Sequence, residues 1–300
     1  MIKLSVCITT YKRADLLDKT LASLAEQTRQ PDELIISDDC SPDNTQEIVL
    51  KWEKHFPGLI YNRNDRNLYM PGNLNTAVNL AKGEYVANLH DADEFAPTLL
   101  EKWELMLDKF PTAGFVFNGV QFVGESGTVI YLHDVDPLTP GKDFYEKHMA
   151  HKFSSIVWGT VMARRTAYQK FLPFDVNFGF YSDVDMWIRM CQLFDVAYVR
   201  EPLMYLDESP TKERKFSWEK TETARRIELT NIYRFYGDQP ERLAKELAFH
   251  SGKVRSIYMR RLLGRIRILD WLNLGEGLAV CKKLHWPFYR PGLVNKDIST

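Results

Sequence analysis

Long apolar runs are missing from this chain. No stretch of about 18 uninterrupted apolar residues occurs, so no membrane-crossing helix is expected. Cysteine is scarce. The four thiols, Cys7, Cys40, Cys191 and Cys281, lie far apart, with no C-x-x-C and no His/Cys cluster at zinc spacing. That argues against a disulfide scaffold or structural zinc and fits a reducing compartment. Net charge is nearly absent: 39 Lys and Arg face 40 Asp and Glu, a formal −1, which removes the global electrostatic case for nucleic-acid binding. No G-x-G-x-x-G follows the first strand-like segment, and no G-x-x-x-x-G-K-[ST] occurs anywhere. Neither a Rossmann dinucleotide site nor a P-loop is therefore supported. The opening MIKLSVCITTYKR holds too short an apolar run for a secretory leader, so a cytoplasmic location is expected.

What is present is an ordinary globular mixture: 300 residues, 45% hydrophobic and 26% charged. That suits one large domain or two modest ones. The first half alternates strand-like and helix-like segments. LSVCITT reads as a buried strand, and ADLLDKTLASLAEQT as a helix with Leu16, Leu17, Leu21 and Leu24 at helical spacing. ELIISDD, LIYNRN, EYVANLHDAD and AGFVFNGVQFV follow as strands. Between them lie helices through Ile48, Val49 and Trp52, through GNLNTAVNLAKG, and through PTLLEKWELMLDKF. This rhythm predicts a mostly parallel sheet covered on both faces, with ligands at the carboxyl ends of its strands. Residues 124–180 read as irregular, DVDMWIRMCQLF as a helix, AYVREPLMYL as a late strand, and everything beyond about 210 as helical.

The most informative stretch is LHDADEFAP. On an extended backbone Asp91 and Asp93 point to the same side and His90 to the other. Two carboxylates on one face at a strand end suit a hard divalent cation that also takes phosphate oxygens. The alternative is a solvated strand end leading into the next helix. Asp38 reads as the brace of the SPDN turn. SDVDMW reads as a helix start, with Ser182 as N-cap and Asp185 completing a capping box. Asp183, at that helix amino terminus, is expected to stay ionised near neutral pH. Trp158 suits sugar stacking or core packing equally.

Four segments, SVCITTYKRADLLDKTLASLAEQT, ELIISDDCSPDNT, GEYVANLHDADEFAP and GFYSDVDMWIRM, resemble the family 2 glycosyltransferases in order and spacing. The resemblance covers about residues 1–205. It implies a GT-A-like α/β fold with a mostly parallel mixed sheet, a nucleotide-sugar donor (UDP-linked favoured), Mn²⁺ or Mg²⁺, and transfer with inversion. Carried across by position, Thr10, Tyr11, Arg13, Asp39, Asn75 and Asp91 bind the nucleotide sugar. Asp93, with Asp91, holds the metal, Asp183 is the general base, and Trp158 and Gly159 wall the acceptor. Two departures stand out. Leu74 replaces an Arg that many relatives carry, and Asp207 and Glu208 stand where many have a metal-binding His. A silent nucleotide-sugar- or glycan-binding module on the same scaffold is the rival reading.

The expected division is a catalytic domain at 1–208, split into a nucleotide-sugar half (1–123) and an acceptor half (124–208), followed by a helical extension at 209–300. Residues 251–300 carry a net +7 against −8 for the remainder. Arg interleaved with Ile, Leu, Tyr and Trp there fits an interfacial helix that holds the protein at the inner membrane face near a glycan or lipid-linked acceptor. A helical cap on the catalytic domain is the alternative.

Overall fold

The computed structural model describes residues 2–124, 127–152, 155–207 and 218–267. Two compact units divide the chain, residues 1–214 and 215–300.

The first unit is built on one mixed sheet. Its parallel part comprises β1 (Leu4–Thr10), β2 (Glu33–Asp38), β3 (Leu59–Arg63) and β4 (Tyr85–His90), in the order β3-β2-β1-β4. β1 and β2 consist almost entirely of buried residues, as a strand covered on both faces requires. The connecting helices are α1 (Ala14–Ala25), α2 (Thr45–Trp52) and α3 (Tyr69–Leu80). In α1, Leu17, Leu21 and Leu24 are fully buried, each contributing about 1.5–3 kcal/mol of apolar transfer energy. Leu16, although apolar, lies outside that stripe and is exposed.

Beyond β4 the sheet changes character. β5 (Glu94–Phe95), α4 (Leu99–Lys109), β6 (Ala113–Gly124), β7 (Gly127–Tyr131) and β8 (Leu138–Thr139) follow in the chain. Then come α5 (Gly141–Phe144), a π-helical turn over 145–149, and β9 (Val161–Arg164). β9 runs antiparallel between β4 and β6, and it lies inside the stretch expected to be irregular. Four residues bounded by loops are too few to declare a period, and only their pairing makes them a strand. α6 (Arg165–Phe171), a 3₁₀ segment (Val176–Tyr181), α7 (Ser182–Met190) and β10 (Asp195–Asp207) complete the unit. β10 pairs in parallel with β6 and closes the order β9-β6-β10-β5.

The second unit contains α8 (Trp218–Tyr236) and α9 (Pro240–Arg267), joined by three residues. Tyr258 on α9 donates to Glu222 on α8 at 3.3 Å, and the buried His250 and Glu228 approach to 3.6 Å. Val254 and Tyr258 are buried one turn apart, while Arg255 between them is exposed. Residues 268–300 of the basic segment lie outside the described residues, as does Glu208. None of the described helices is long and apolar enough to cross a membrane.

Candidate active site

The carboxyl ends of β1, β2 and β4 open onto one edge of the sheet, because parallel strands deliver their following loops to the same side. After β1, Lys12 adopts a left-handed conformation (φ 56°), and after β2 so does Cys40 (φ 63°). Such conformations cost non-glycine residues of order 1–3 kcal/mol and cluster at functional loops. The Lys12 N–H donates to Ser41 Oγ at 3.0 Å, which ties the two loops together. Cys40 is partly exposed, whereas Cys7 and Cys191 are buried thiols whose pKa values burial pushes well up.

Asp38 and Asp39 divide the work at the end of β2. Asp38 accepts from the Ser41 N–H at 2.9 Å and the Tyr61 hydroxyl at 2.7 Å, which makes it the expected turn brace. Asp39 accepts through Oδ1 alone, from the Leu68 N–H at 2.7 Å and Asn64 at 3.0 Å. Its Oδ2 has no hydrogen-bond partner among the described residues. Behind them Asn73 is buried, accepting from Ser37 Oγ (2.6 Å) and Asn64 (2.9 Å) and donating to the Ser37 carbonyl (2.8 Å). Tyr11 is on the rim, more than a third exposed, with Lys12 Nζ 4.9 Å from its ring centre. The Thr10 side chain is buried and its hydroxyl has no partner among the described residues.

The acidic pair departs from the extended geometry the sequence implied. β4 ends at His90, Asp91 and Ala92 form a turn, and β5 begins at Glu94. Thr20 of α1 and Gln27 just beyond that helix hold the turn and the following β5 in place. Thr20 Oγ1 donates to the Asp93 carbonyl at 2.8 Å, and Gln27 donates to the Ala96 carbonyl at 2.7 Å. Both carboxylates are buried. Asp91 is bridged by the Arg13 guanidinium at 2.9 Å. The buried Oδ2 of Asp93 meets His90 Nδ1 at 3.3 Å and no other hydrogen-bond donor among the described residues. A buried carboxylate oxygen with a single partner has lone pairs to spare, and an oxygen-seeking divalent cation fits there.

The turn also overturns the expectation that His90 faces away. Its side chain stays about two-fifths exposed and swings toward Asp93. Burial pulls the imidazole pKa down, but the hydrogen bond and charge of Asp93, with the charges of Asp183 and Asp91, raise it above its ordinary value overall. Strand alternation does not govern this pair, because β4 stops at His90 itself and the chain turns at Asp91.

Asp183 closes the site from the antiparallel side. α7 begins one residue earlier than expected: Tyr181 is the N-cap and no side chain caps the helix. Ser182 is therefore inside the first turn, its Oγ 3.9 Å from Met70 Sδ. Asp185 is fully buried and pairs with Arg189 at 2.8 Å, so the capping box does not form. Asp183 accepts from the Val184 N–H at 2.7 Å. Protein packs around it closely enough that burial pushes its carboxyl up to about 6, against the opposing pull of the Val184 N–H and His90. It is thus less acidic than its position at a helix start implied.

Gly159 joins these groups. It has φ 82°, and its carbonyl accepts from Asn88 on β4 at 2.9 Å. A methyl group on its α-carbon would lie 2.8 Å from Asp183 Oδ2 and 2.9 Å from His90 Nε2, so only glycine fits between them. Trp158 is partly buried, edge-on to Phe122 with ring centres 5.2 Å apart, and its buried Nε1 lacks a partner. It packs against the core while keeping part of its surface accessible.

One expected contact is engaged elsewhere. The Asn75 amide clasps the Phe174 backbone in both directions, donating at 3.0 Å and accepting at 2.7 Å. Leu74 is a buried core residue. The side chain of Asp207, which ends β10, lies outside the described residues.

Comparison with known proteins follows this geometry. The sequence model described as "Glycosyl transferase family 2" matches residues 5–172. An uncharacterized glycosyltransferase of Methanocaldococcus jannaschii is 27% identical over 240 residues, covering 77% of each chain. The putative colanic acid biosynthesis glycosyl transferase WcaA of Escherichia coli is 24% identical over 290 residues, 92% of this chain and 97% of that one. Among solved structures, S. aureus TarS residues 1–349 in complex with UDP superposes with a TM-score of 0.62. It is 19% identical, and the match covers 77% of this chain and 66% of that one. That likeness establishes the GT-A-type fold.

Proposed function

The chain belongs to glycosyl transferase family 2, and from that premise we propose that it moves a sugar from a UDP-linked donor to an acceptor hydroxyl in glycan assembly, with inversion at the anomeric carbon. One observation carries the reading: Asp183, whose carboxyl burial pushes up to about 6, faces His90 across Gly159, and His90 in turn meets Asp93 of the acidic turn at 3.3 Å. A general base works best when its pKa lies near the working pH, and Asp183 meets that condition. It is ionised for most of the time at neutral pH and takes the acceptor proton as that oxygen attacks.

Asp93, with Asp91 beside it, would hold Mn²⁺ or Mg²⁺, which supplies positive charge to a departing diphosphate when bound. Arg13, already on Asp91 and half exposed, adds a second positive charge at the same corner. Asp39 reads the base through its Oδ2, its Oδ1 being fixed by Leu68 and Asn64. Thr10 and Tyr11 border the same loop, and Trp158 and Gly159 wall the acceptor. UDP in the superposed TarS structure supports the donor class. WcaA, named for colanic acid biosynthesis, supports a glycan product. Placement at the inner membrane face through 251–300 stands on the basic composition of that segment.

The test is a transfer assay with UDP-sugars, Mn²⁺ and a panel of glycoside acceptors, read beside UDP binding. Transfer by the wild type, lost in Asp183→Asn with UDP binding kept, supports the reading. Donor binding with neither transfer nor donor hydrolysis would instead identify a silent binding module.

A further inference from the structure

Asp183 accepts the Val184 N–H through Oδ1, and its Oδ2 shares its surroundings with a second polar atom. Asp183 Oδ2 and His90 Nε2 both lie within 2.9 Å of the same point, the position a Gly159 methyl would take. Their separation is therefore less than twice that distance. The His90 ring is oriented from behind, with Nδ1 directed at Asp93 Oδ2, which leaves Nε2 as the nitrogen beside Asp183. Its side chain is about two-fifths exposed, so a ligand can reach it. Gly159 keeps the gap between the two groups open, held by the Asn88 bond to its carbonyl.

A pair of polar atoms this close matches two neighbouring hydroxyls of a sugar. Each oxygen can take one partner at about 2.8 Å while the oxygens keep their own ring spacing. A hydroxyl both donates and accepts, so it pairs with Nε2 in either protonation state of the ring.

We propose that His90 is a specificity-determining residue that binds the hydroxyl next to the attacking one, so that the enzyme selects acceptors presenting a vicinal diol. This rests on the reading of Asp183 as the base. The acceptor is thereby gripped at two points: Asp183 takes the reacting oxygen and His90 fixes the rotation of the ring about it. A single hydrogen bond would leave that rotation free, and orientation is a large part of catalytic efficiency.

The test uses the full chain with Mn²⁺, UDP-glucose or UDP-N-acetylglucosamine, and a p-nitrophenyl hexoside that the wild type glycosylates. The hexoside is compared with its monodeoxy analogues lacking either neighbour of the attacked hydroxyl. The wild type is expected to prefer the diol in kcat/KM by about ten- to a hundredfold over one deoxy analogue. His90→Ala should reduce that preference to within about threefold, and His90→Gln, which keeps a hydrogen-bonding group, should retain part of it. UDP and Mn²⁺ affinity, measured by calorimetry, separates this from any effect through Asp93. Equal losses on both acceptors, leaving the preference intact, would overturn the proposal while the transferase reading stands. Absence of wild-type transfer to every hexoside would overturn both.

Discussion

The two sides of the site are made differently. On the parallel side, behind β2, polar groups bond to one another: Ser37, Asn73, Asn64 and one oxygen of Asp39 form a chain of hydrogen bonds, and Asp38 accepts from Tyr61. Where β4 meets the antiparallel β9, Asn88 Oδ1, Trp158 Nε1 and the Thr160 hydroxyl are buried with no hydrogen-bond partner among the described residues. Satisfied networks rigidify a site, whereas unsatisfied ones cost stability until something binds. The polar groups behind β2 are braced by one another, and the junction with β9 is where a ligand has most to contribute.

The sharpest way to break this contrast is at Asp183. Asp183→Asn should lower turnover by about 10²–10⁴-fold with UDP binding by calorimetry unchanged. In the wild type kcat/KM should fall about tenfold per pH unit below about 6 and level off above it. A profile flat from pH 5 to 8 would remove Asp183 from the role. Gly159→Ala comes next. Its methyl would force His90 and Asp183 apart, and turnover should drop about 10²-fold with donor affinity kept.

The parallel side should respond in stability rather than rate. Asn73→Ala leaves Ser37 and Asn64 without their buried partner and should cost about 2–3 kcal/mol in urea denaturation. At the junction the sign reverses. The Asp183 carboxyl ionises near 3.8 when unfolded and about 6 when folded, so stability declines as pH rises between those values. Asp183→Asn removes that penalty and should stabilise by about 1–3 kcal/mol at pH 7.5, with little change below pH 3.5. The smallest effect belongs to the surface: Lys51→Ala, which loses an exposed pair with Asp18, should cost no more than about 1 kcal/mol.

Sequence reading succeeded where a period declared itself. β1, β2 and α1 are legible because their buried faces repeat over six residues or more, and the strand ends then point to Asp39, Asp91 and Asp93. It failed where one residue of register decided the outcome. His90 was turned the wrong way because the strand stops at its own position, and nothing in LHDADEF marks that stop. Ser182 and Asp185 mimic a capping box, but the helix begins one residue sooner, and Asp185 meets Arg189 instead. Asn75 occupies a familiar position, yet its amide is taken up by Phe174, a partner 99 residues away that no local pattern reveals. Gly159 was placed at the acceptor wall by resemblance alone; its physical necessity emerges only from the two side chains that crowd it.

The thiol of Cys40 turns the left-handed bend after β2 into a reporter. It follows Asp39 directly and is partly exposed, whereas Cys7 and Cys191 are sealed in the interior; Cys281 falls outside the described residues. A maleimide dye should therefore label the catalytic unit at this one place, without any engineered cysteine. Slower labelling in the presence of a nucleotide would follow occupancy of the cleft beside Asp39 in real time.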